Sequence, residues 1–403
     1  MPPSGLATGS RWSTTGGPVV AALALALAFL NTAPLLALLR REFGLTNFQA
    51  GALAAATLLS HTALQLPAGP LVDQLGSRRA TLVGLGVVAV GVLLSGQAPS
   101  FPALLLARLA VGVGTGLAFL AALVLAAEAV PPARAPWQQS LYGAAFQAGT
   151  LLTLALTPVL ADRVGWRGAF LSEGAAIGLV ALAGRRLLPV PRYARPRVPV
   201  PWALVFRAPG VYALGLAHVA TYGTVTAVSA WAPTWLLDRY HLPTTLAGLV
   251  TGLMTPGAVL GRLLGGHLAA RTARDQGLLL GAGLLSLLTA AVLPAGLPFP
   301  VVLGLLFGLG LVSGLSFGAL FSRAARLFGP GTAGTGSGAV NFIANLGALA
   351  FPPLVGALLD RTGSYLVGFW CVAGLGLLGL GYTALYLQQT GPGAPAVPKR
   401  PAG

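Results

Sequence analysis

Apolar residues run along this chain in long blocks, and polar residues gather in the short gaps between them. Twelve blocks stand out, at roughly 18–39, 48–71, 80–98, 101–127, 139–161, 168–188, 209–235, 246–268, 277–294, 299–323, 335–358 and 366–388. Each comes near the ~20 residues that an α-helix needs to cross a bilayer. The pattern therefore predicts an all-α membrane protein with twelve transmembrane helices, called crossings 1 to 12 in chain order. The longest polar gap, Gly184 to Arg207, holds six arginines and five prolines. Its prolines resist helix, so it reads as an extended linker between two pseudo-symmetric six-helix halves. The expected organisation is a cytoplasmic tail over 1–17, a first half over 18–188, a cytoplasmic linker over 189–208, a second half over 209–388 and a cytoplasmic tail over 389–403.

Composition supports this reading. The 403 residues are 55% hydrophobic and only 8% charged, against about 25% charged in soluble domains. A net charge of +16 would suit nucleic-acid binding, but the arginines are scattered between apolar blocks and form no polar face. They serve orientation instead. With both termini in the cytoplasm, inside segments carry sixteen Lys and Arg, outside loops carry six, and Arg108 and Arg262 fall within crossings. That bias orients a multi-pass protein of the plasma (inner) membrane. Cys371 stands alone in an apolar block, so neither a disulfide framework nor a zinc site is expected. The block over 18–39 is too long for a signal-peptide core.

A short corner recurs. Asp73-Gln-Leu-Gly76 follows crossing 2, Asp162-Arg-Val-Gly165 follows crossing 5 and Asp360-Arg-Thr-Gly363 follows crossing 11; crossing 8 ends in a decayed form, Ala269-Ala-Arg-Thr272. The matched offsets argue for three-helix units, two in each half. Transporters built from such repeats bind substrate near the bilayer midplane, where the repeats meet.

The fullest corner reads Gly69-x-Leu71-x-Asp73-x-x-Gly76-x-Arg78-Arg79. It resembles the loop between helices 2 and 3 of the major facilitator superfamily of secondary transporters. Arg108-x-x-x-Gly112-x-Gly114-x-Gly116 in crossing 4 and Trp166-Arg167-x-x-Phe170 entering crossing 6 are similar to further motifs of that family. The likeness covers roughly residues 18 to 388 and implies alternating access; no cofactor is expected. The corner also has its own physics. Crossing 11 begins near Gly331 to Thr335, and its first amides carry partial positive charge. The Asp73 carboxylate against them would latch the halves shut at the inner face, and the resemblance implies the same latch. Arg78 or Arg79 would then pair with Glu128. The plainer reading makes the two arginines topology signals and Gly76 a turn residue. It explains Asp73 less well, because a lone acid inside does nothing for topology.

Small residues recur at helical spacing: Gly112 and Gly116; Gly257, Gly261 and Gly265; Gly310, Gly314 and Gly318. They predict close helix packing. Polar stripes point to a central cavity, with hydrogen bonding between helices as the plainer reading: Thr57, His61 and Gln65 in crossing 2, Gln147 in crossing 5, His218 and Tyr222 in crossing 7, Asn341 and Asn345 in crossing 11. Asn31, Arg108 and Arg262 join them as candidate substrate or coupling residues. Arg108 and Arg262 read equally well as structural. Among acids, only Glu173 lies inside a crossing clear of the inner rim. A cavity with arginines and histidines and no central acid favours an anion. Small-anion porters of the superfamily, such as nitrate or cyanate porters, are the loose resemblance. The chain departs from nitrate porters, which pair arginines on helices 2 and 8, by offering His61 on crossing 2. It also lacks their Asn-containing glycine signature on helix 5.

A proton is the candidate coupling ion, with His61 or His218 as its carrier; each reads otherwise as a hydrogen-bonded core histidine. A proton-coupled exporter of hydrophobic compounds is the competing reading. A transporter-like sensor would carry a signalling domain. A membrane-embedded enzyme would need a nucleophile with its base, or a metal cluster, at depth, and no such pattern is present. The chain is expected to be a monomeric, non-enzymatic transporter in contact with lipid.

Overall fold

The computed structural model describes residues 11–45, 47–193, 198–272, 275–329 and 331–390. The outer parts of both expected tails and the middle of the linker, with Arg195, Arg197, Lys399 and Arg400, lie outside the described residues, as does Arg274. Every regular element among the described residues is helical. In order these are α1 (Arg11–Phe29), α2 (Leu36–Phe43), α3 (Asn47–Leu75), α4 (Ser77–Gly96), α5 (Phe101–Glu128), α6 (Ala135–Leu187), α7 (Trp202–Arg207), α8 (Pro209–His218), α9 (Thr224–Tyr240), α10 (Thr244–Gly252), α11 (Met254–Thr272), α12 (Asp275–Val292), α13 (Phe299–Leu315), α14 (Phe317–Ala324), α15 (Ala333–Thr362) and α16 (Tyr365–Thr390).

Ten described stretches are long and apolar enough to cross a membrane. One of them contains α6, which is 53 residues long and turns at Gly165, where φ is 73° and ψ is 166°. Glycine suits that backbone, since an L side chain would clash there. The surface carries large apolar side chains that water would not tolerate in such number; Leu182 and Leu378 are each 74% exposed. Inside, one buried cluster runs from Leu25 and Leu85 through Tyr142 and Phe170 to Phe317 and Phe321. The early and late parts of the chain thus share a core.

Several expected helices are interrupted. Crossing 1 breaks after Phe29 into a turn and a short 3-10 segment, Ala33–Leu35, before α2. Pro34, which has no N–H to give, sits in that break. A stretch of wider π-type turn covers Val219–Gly223 between α8 and α9. Crossing 10 is broken at Ser316, between Gly314 and Gly318. The described ends of the linker are more ordered than their prolines suggest. Trp202–Arg207 is helical, Tyr193 N–H donates to the Glu128 carbonyl at 2.9 Å, and Val198 N–H reaches the Gly331 carbonyl at 3.4 Å.

The contacts that join early and late helices gather at the end of the bundle where α3 finishes. There α15 starts against the last turns of α3, and the end of α11 and α14 lie against the start of α6. At the opposite end the polar pairs are local to each part: Arg167 with Glu42 at 2.8 Å, and Tyr365 with Asp238 at 2.7 Å.

Candidate solute site and its closed end

The closed end is built around Asp73. Gly76, at φ 91° and ψ 137°, ends α3 and lets Ser77 begin α4 at once. This leaves Asp73 in the last turn of α3, buried against the start of α15. One carboxylate oxygen accepts the Gly334 N–H at 2.8 Å; the other accepts the Thr335 N–H at 2.8 Å and the Thr335 hydroxyl at 2.6 Å. Thr332 offers α15 no side-chain cap of its own, so the carboxylate from α3 satisfies amides that helix formation leaves open. Gly69 makes this approach possible. A Cβ there would lie 2.8 Å from the Thr335 Cα and 2.9 Å from the Gly334 carbonyl oxygen.

The expected partner of Glu128 is replaced. Ser77, not Arg78, faces inward from the start of α4, and its hydroxyl donates to Glu128 at 2.5 Å. Arg78 instead donates to the Arg185 carbonyl at 2.5 Å, and Arg79 is exposed. Helical phase decides this: one residue of rotation sends the two arginines to the rim. A second corner, outside the recurring Asp–Gly pattern, closes the late helices. Arg323, ending α14, pairs at 3.1 Å with Asp275, starting α12. It is the Ser77–Glu128 corner with the acid moved to the other helix, and an acid beginning one helix with an arginine ending the next was its signal.

Early and late helices also meet along α6 and α11. Ser322 donates to Gln139 at 2.8 Å. Arg262 Nη1 donates to the Gly143 carbonyl, and its guanidinium carbon sits 4.2 Å above the Phe317 ring. Tyr142, Tyr222 and His218 are within electrostatic reach of Arg262. The His218 ring packs at 5.5 Å on Tyr222 and 5.6 Å on Phe321. No carboxylate is among these groups.

His61 heads a second group. Its Nδ1 lies 3.2 Å from Thr115 Oγ1 and its Nε2 lies 2.9 Å from Gln65 Nε2. Thr115 gives its own proton to the Gly112 carbonyl at 3.0 Å. With the Gln65 amide assigned this way, Nδ1 donates and Nε2 accepts, the pattern of a neutral imidazole. Phe29 and Phe119 flank the ring at 5.1 and 5.9 Å. Phe119 also packs at 5.5 Å on Tyr142. One aromatic cluster therefore joins the His61 group to the Arg262 group. These phenylalanines are silent in the sequence, because a single Phe in a membrane helix carries no signal of its own.

The remaining candidates divide. Gln147 is half-buried and makes no hydrogen bond among the described residues. Asn345 donates to the Asn341 carbonyl one turn back at 2.8 Å. Thr57 donates to the Arg108 carbonyl at 3.3 Å. Arg108 and Asn31 lie elsewhere, in a sealed network within the early helices. Arg108 is fully buried; it donates to Ser95 Oγ at 3.0 Å, to Asn31 Oδ1 at 2.8 Å and to Thr32 Oγ1 at 3.3 Å, and lies 5.0 Å over Phe170. Asn31 passes its amide to Glu173 at 2.7 Å, and Thr157 gives the same carboxylate a bond of 2.5 Å. Asn31, at the break after α1, bridges a buried cation and a buried anion.

The glycine stripes face each other. A Cβ on Gly314 would lie 2.6 Å from the Ala258 carbonyl and 2.7 Å from Arg262 N, while Gly257, Gly261 and Gly265 abut Phe307, Leu311 and Leu315, and Gly310 abuts Met254. Gly318 abuts Pro136 of α6; Gly112 and Gly116 abut α3 at Thr57 and His61. The α11–α13 pair packs at backbone distance, and this contact sets where the α11 side chain of Arg262 projects.

These features define a helical membrane transport protein. A family model described as the Major Facilitator Superfamily matches residues 19–352, and the chain belongs to that superfamily, whose members are transporters rather than enzymes. The chain is 30% identical over 375 residues to a probable nitrate/nitrite transporter, NarK2, of Mycobacterium tuberculosis, with 87% of this chain and 90% of that one covered. It is 24% identical over 375 residues to the probable nitrate transporter NarT of Staphylococcus epidermidis, covering 90% and 93%. It is 26% identical over 380 residues to the probable sulfoacetate transporter SauU of Cupriavidus necator, covering 86% of each. Among solved structures, the transporter FucP in an outward conformation superposes with a TM-score of 0.74 at 17% identity, over 93% of this chain and 99% of that one. The human organic anion transporter MFSD10 gives 0.75 at 20%, over 92% and 99%. At these identities the structural likeness speaks for the fold.

Proposed function

We propose that this chain is a secondary transporter of small anions, working by alternating access in the plasma membrane. The observation that carries the reading is Arg262. It stands where early and late helices meet, over the Phe317 ring and within electrostatic reach of Tyr142, Tyr222 and His218, with no carboxylate among these groups. A guanidinium on an aromatic shelf suits a planar or polar-headed anion. The three relatives described above are designated probable transporters of nitrate or nitrite, of nitrate and of sulfoacetate, each an anion. In this reading His61 and Gln65, joined to the Arg262 group through Phe119 and Tyr142, stand in place of a second arginine.

The helix count supports twelve crossings: ten apolar stretches, one of them divided at Gly165, plus the 29-residue α3. Residues 18–188 and 209–388 are then the two halves, and 189–208 the linker. The excess of basic residues assigns the Asp73 end and both termini to the cytoplasm. Asp73 on α15 and α6 on α11 then latch the cytoplasmic side, and rocking of the halves breaks those contacts. His61 and His218 are the candidate proton carriers, and the working unit is a monomer.

The test is uptake of labelled nitrate, nitrite and sulfoacetate into proteoliposomes, with and without a proton gradient. Saturable uptake that Arg262→Ala removes supports the reading. Uptake of none of these, beside saturable movement of a neutral or cationic solute, overturns it.

A further inference from the structure

A second basic site lies outside the solute path, at the same closed end. A cavity of about 790 Å3 opens between the start of α1, the turn before α6 and the end of α11. Arg134, Trp137 and Gln138 line it from the early helices, and His267 and Arg271 from the late ones. None of its lining residues is acidic. Neither guanidinium has a hydrogen-bond or ion-pair partner among the described residues, whereas Arg167, Arg262 and Arg323 are all engaged. The floor is held in shape: Gln138, buried, donates to Thr15 Oγ1 at 3.0 Å, and the Trp137 ring meets His267 edge-on at 6.2 Å.

An arginine that only marks topology needs nothing but water. Here two arginines from distant parts of the chain line one concave space with no counter-charge. Both guanidiniums are exposed to solvent and free to accept an anion between them, and phosphate oxygens match the guanidinium fork. The volume falls within the range of small-ligand pockets, roughly 300–1,000 Å3, and exceeds what a bare inorganic ion fills. Basic pockets between membrane helices on the cytoplasmic side suit lipid head groups by the same chemistry.

We propose that this cavity binds a phosphate-bearing anion between Arg134 and Arg271, with the Trp137 ring as its apolar wall. Because its walls come from α6 and α11 together, the ligand is held only while this end is closed, and it stabilises that state. The conformational consequence rests on the alternating-access reading above; the binding does not.

The experiment measures binding directly, on the full-length protein in detergent and in nanodiscs. One arm titrates inorganic pyrophosphate against chloride at equal ionic strength and follows thermal unfolding. The other compares nanodiscs of phosphatidylcholine alone with discs containing cardiolipin, and counts retained lipid by native mass spectrometry. Saturable stabilisation by pyrophosphate assigns a soluble phosphate; selective retention of cardiolipin assigns a lipid; either supports the site. Arg134→Ala and Arg271→Ala each weaken the positive arm about tenfold, about 1.4 kcal/mol, while Arg134→Lys and Arg271→Lys keep most of it. Arg79→Ala, an exposed arginine outside the cavity, leaves it unchanged. Binding in neither arm, or binding that all five variants leave alike, overturns the proposal. Binding retained with anion uptake absent separates this site from the solute reading.

Discussion

Thr335, 262 positions along the chain from Asp73, gives one Asp73 oxygen both its backbone N–H, at 2.8 Å, and its hydroxyl, at 2.6 Å. The side chain of one helix thus caps another whose own first turn has no side-chain cap. A hydrogen bond to a charged group contributes roughly 1.5–3 kcal/mol, so this joint alone is strong enough to bias a conformational equilibrium.

Asp73→Asn keeps the size of the side chain and removes its charge and one acceptor. Transport in proteoliposomes is expected to fall about tenfold, roughly 1.4 kcal/mol, with membrane insertion unchanged. Thr335→Val, which keeps both amide bonds, has a smaller effect. Loss of insertion equal to the loss of transport would remove the latch role.

Gly69→Leu places a side chain where backbone already stands, 2.8 Å from the Thr335 Cα. Spin labels at Arg79 and Arg326, both exposed at the closed end, should show a longer, broader distance distribution than in the parent protein. An unchanged distribution would mean that the approach of α3 to α15 is not what holds this end closed.

Arg262 and Arg108 should fail differently. Arg262→Ala removes anion uptake with a modest fall in thermal stability, and Arg262→Lys recovers part of the uptake. Arg108→Ala leaves Glu173 buried without its cation, a loss of roughly 3–5 kcal/mol, read as a large fall in unfolding temperature. Adding Glu173→Gln to Arg108→Ala should restore part of that stability. Thr57→Ala, which removes only a 3.3 Å bond, should move neither quantity much. Uptake lost in Arg108→Ala at unchanged stability would return Arg108 to the solute path.

Gly261→Leu tests the glycine contact. Its Cβ would press on the Leu311 backbone of α13, and a backbone cannot swing aside as a side chain can. Lower yield of folded protein and lost uptake are expected together, measured by size-exclusion profile and flux. Normal folding with lost uptake would instead assign the stripe to motion.

The sequence by itself determined the apolar blocks, because crossing a bilayer demands about 20 apolar residues each time and leaves polar residues only in the gaps. It also marked Asp73, since a lone acid among arginines is out of place on chemical grounds. It could not give the partner of Glu128, where one step of helical rotation put Ser77 inward and the arginines outward. Nor could it separate Arg108 from Arg262: both are single arginines in apolar runs. Their difference arises when α1 breaks at Asn31 and brings it beside Glu173, 142 positions away, at 2.7 Å, while the α11–α13 packing turns Arg262 toward Gly143 and Phe317. Hydropathy and spacing are properties of a single helix. Which side chains meet between helices is decided by how their surfaces interlock, and that belongs to the tertiary structure.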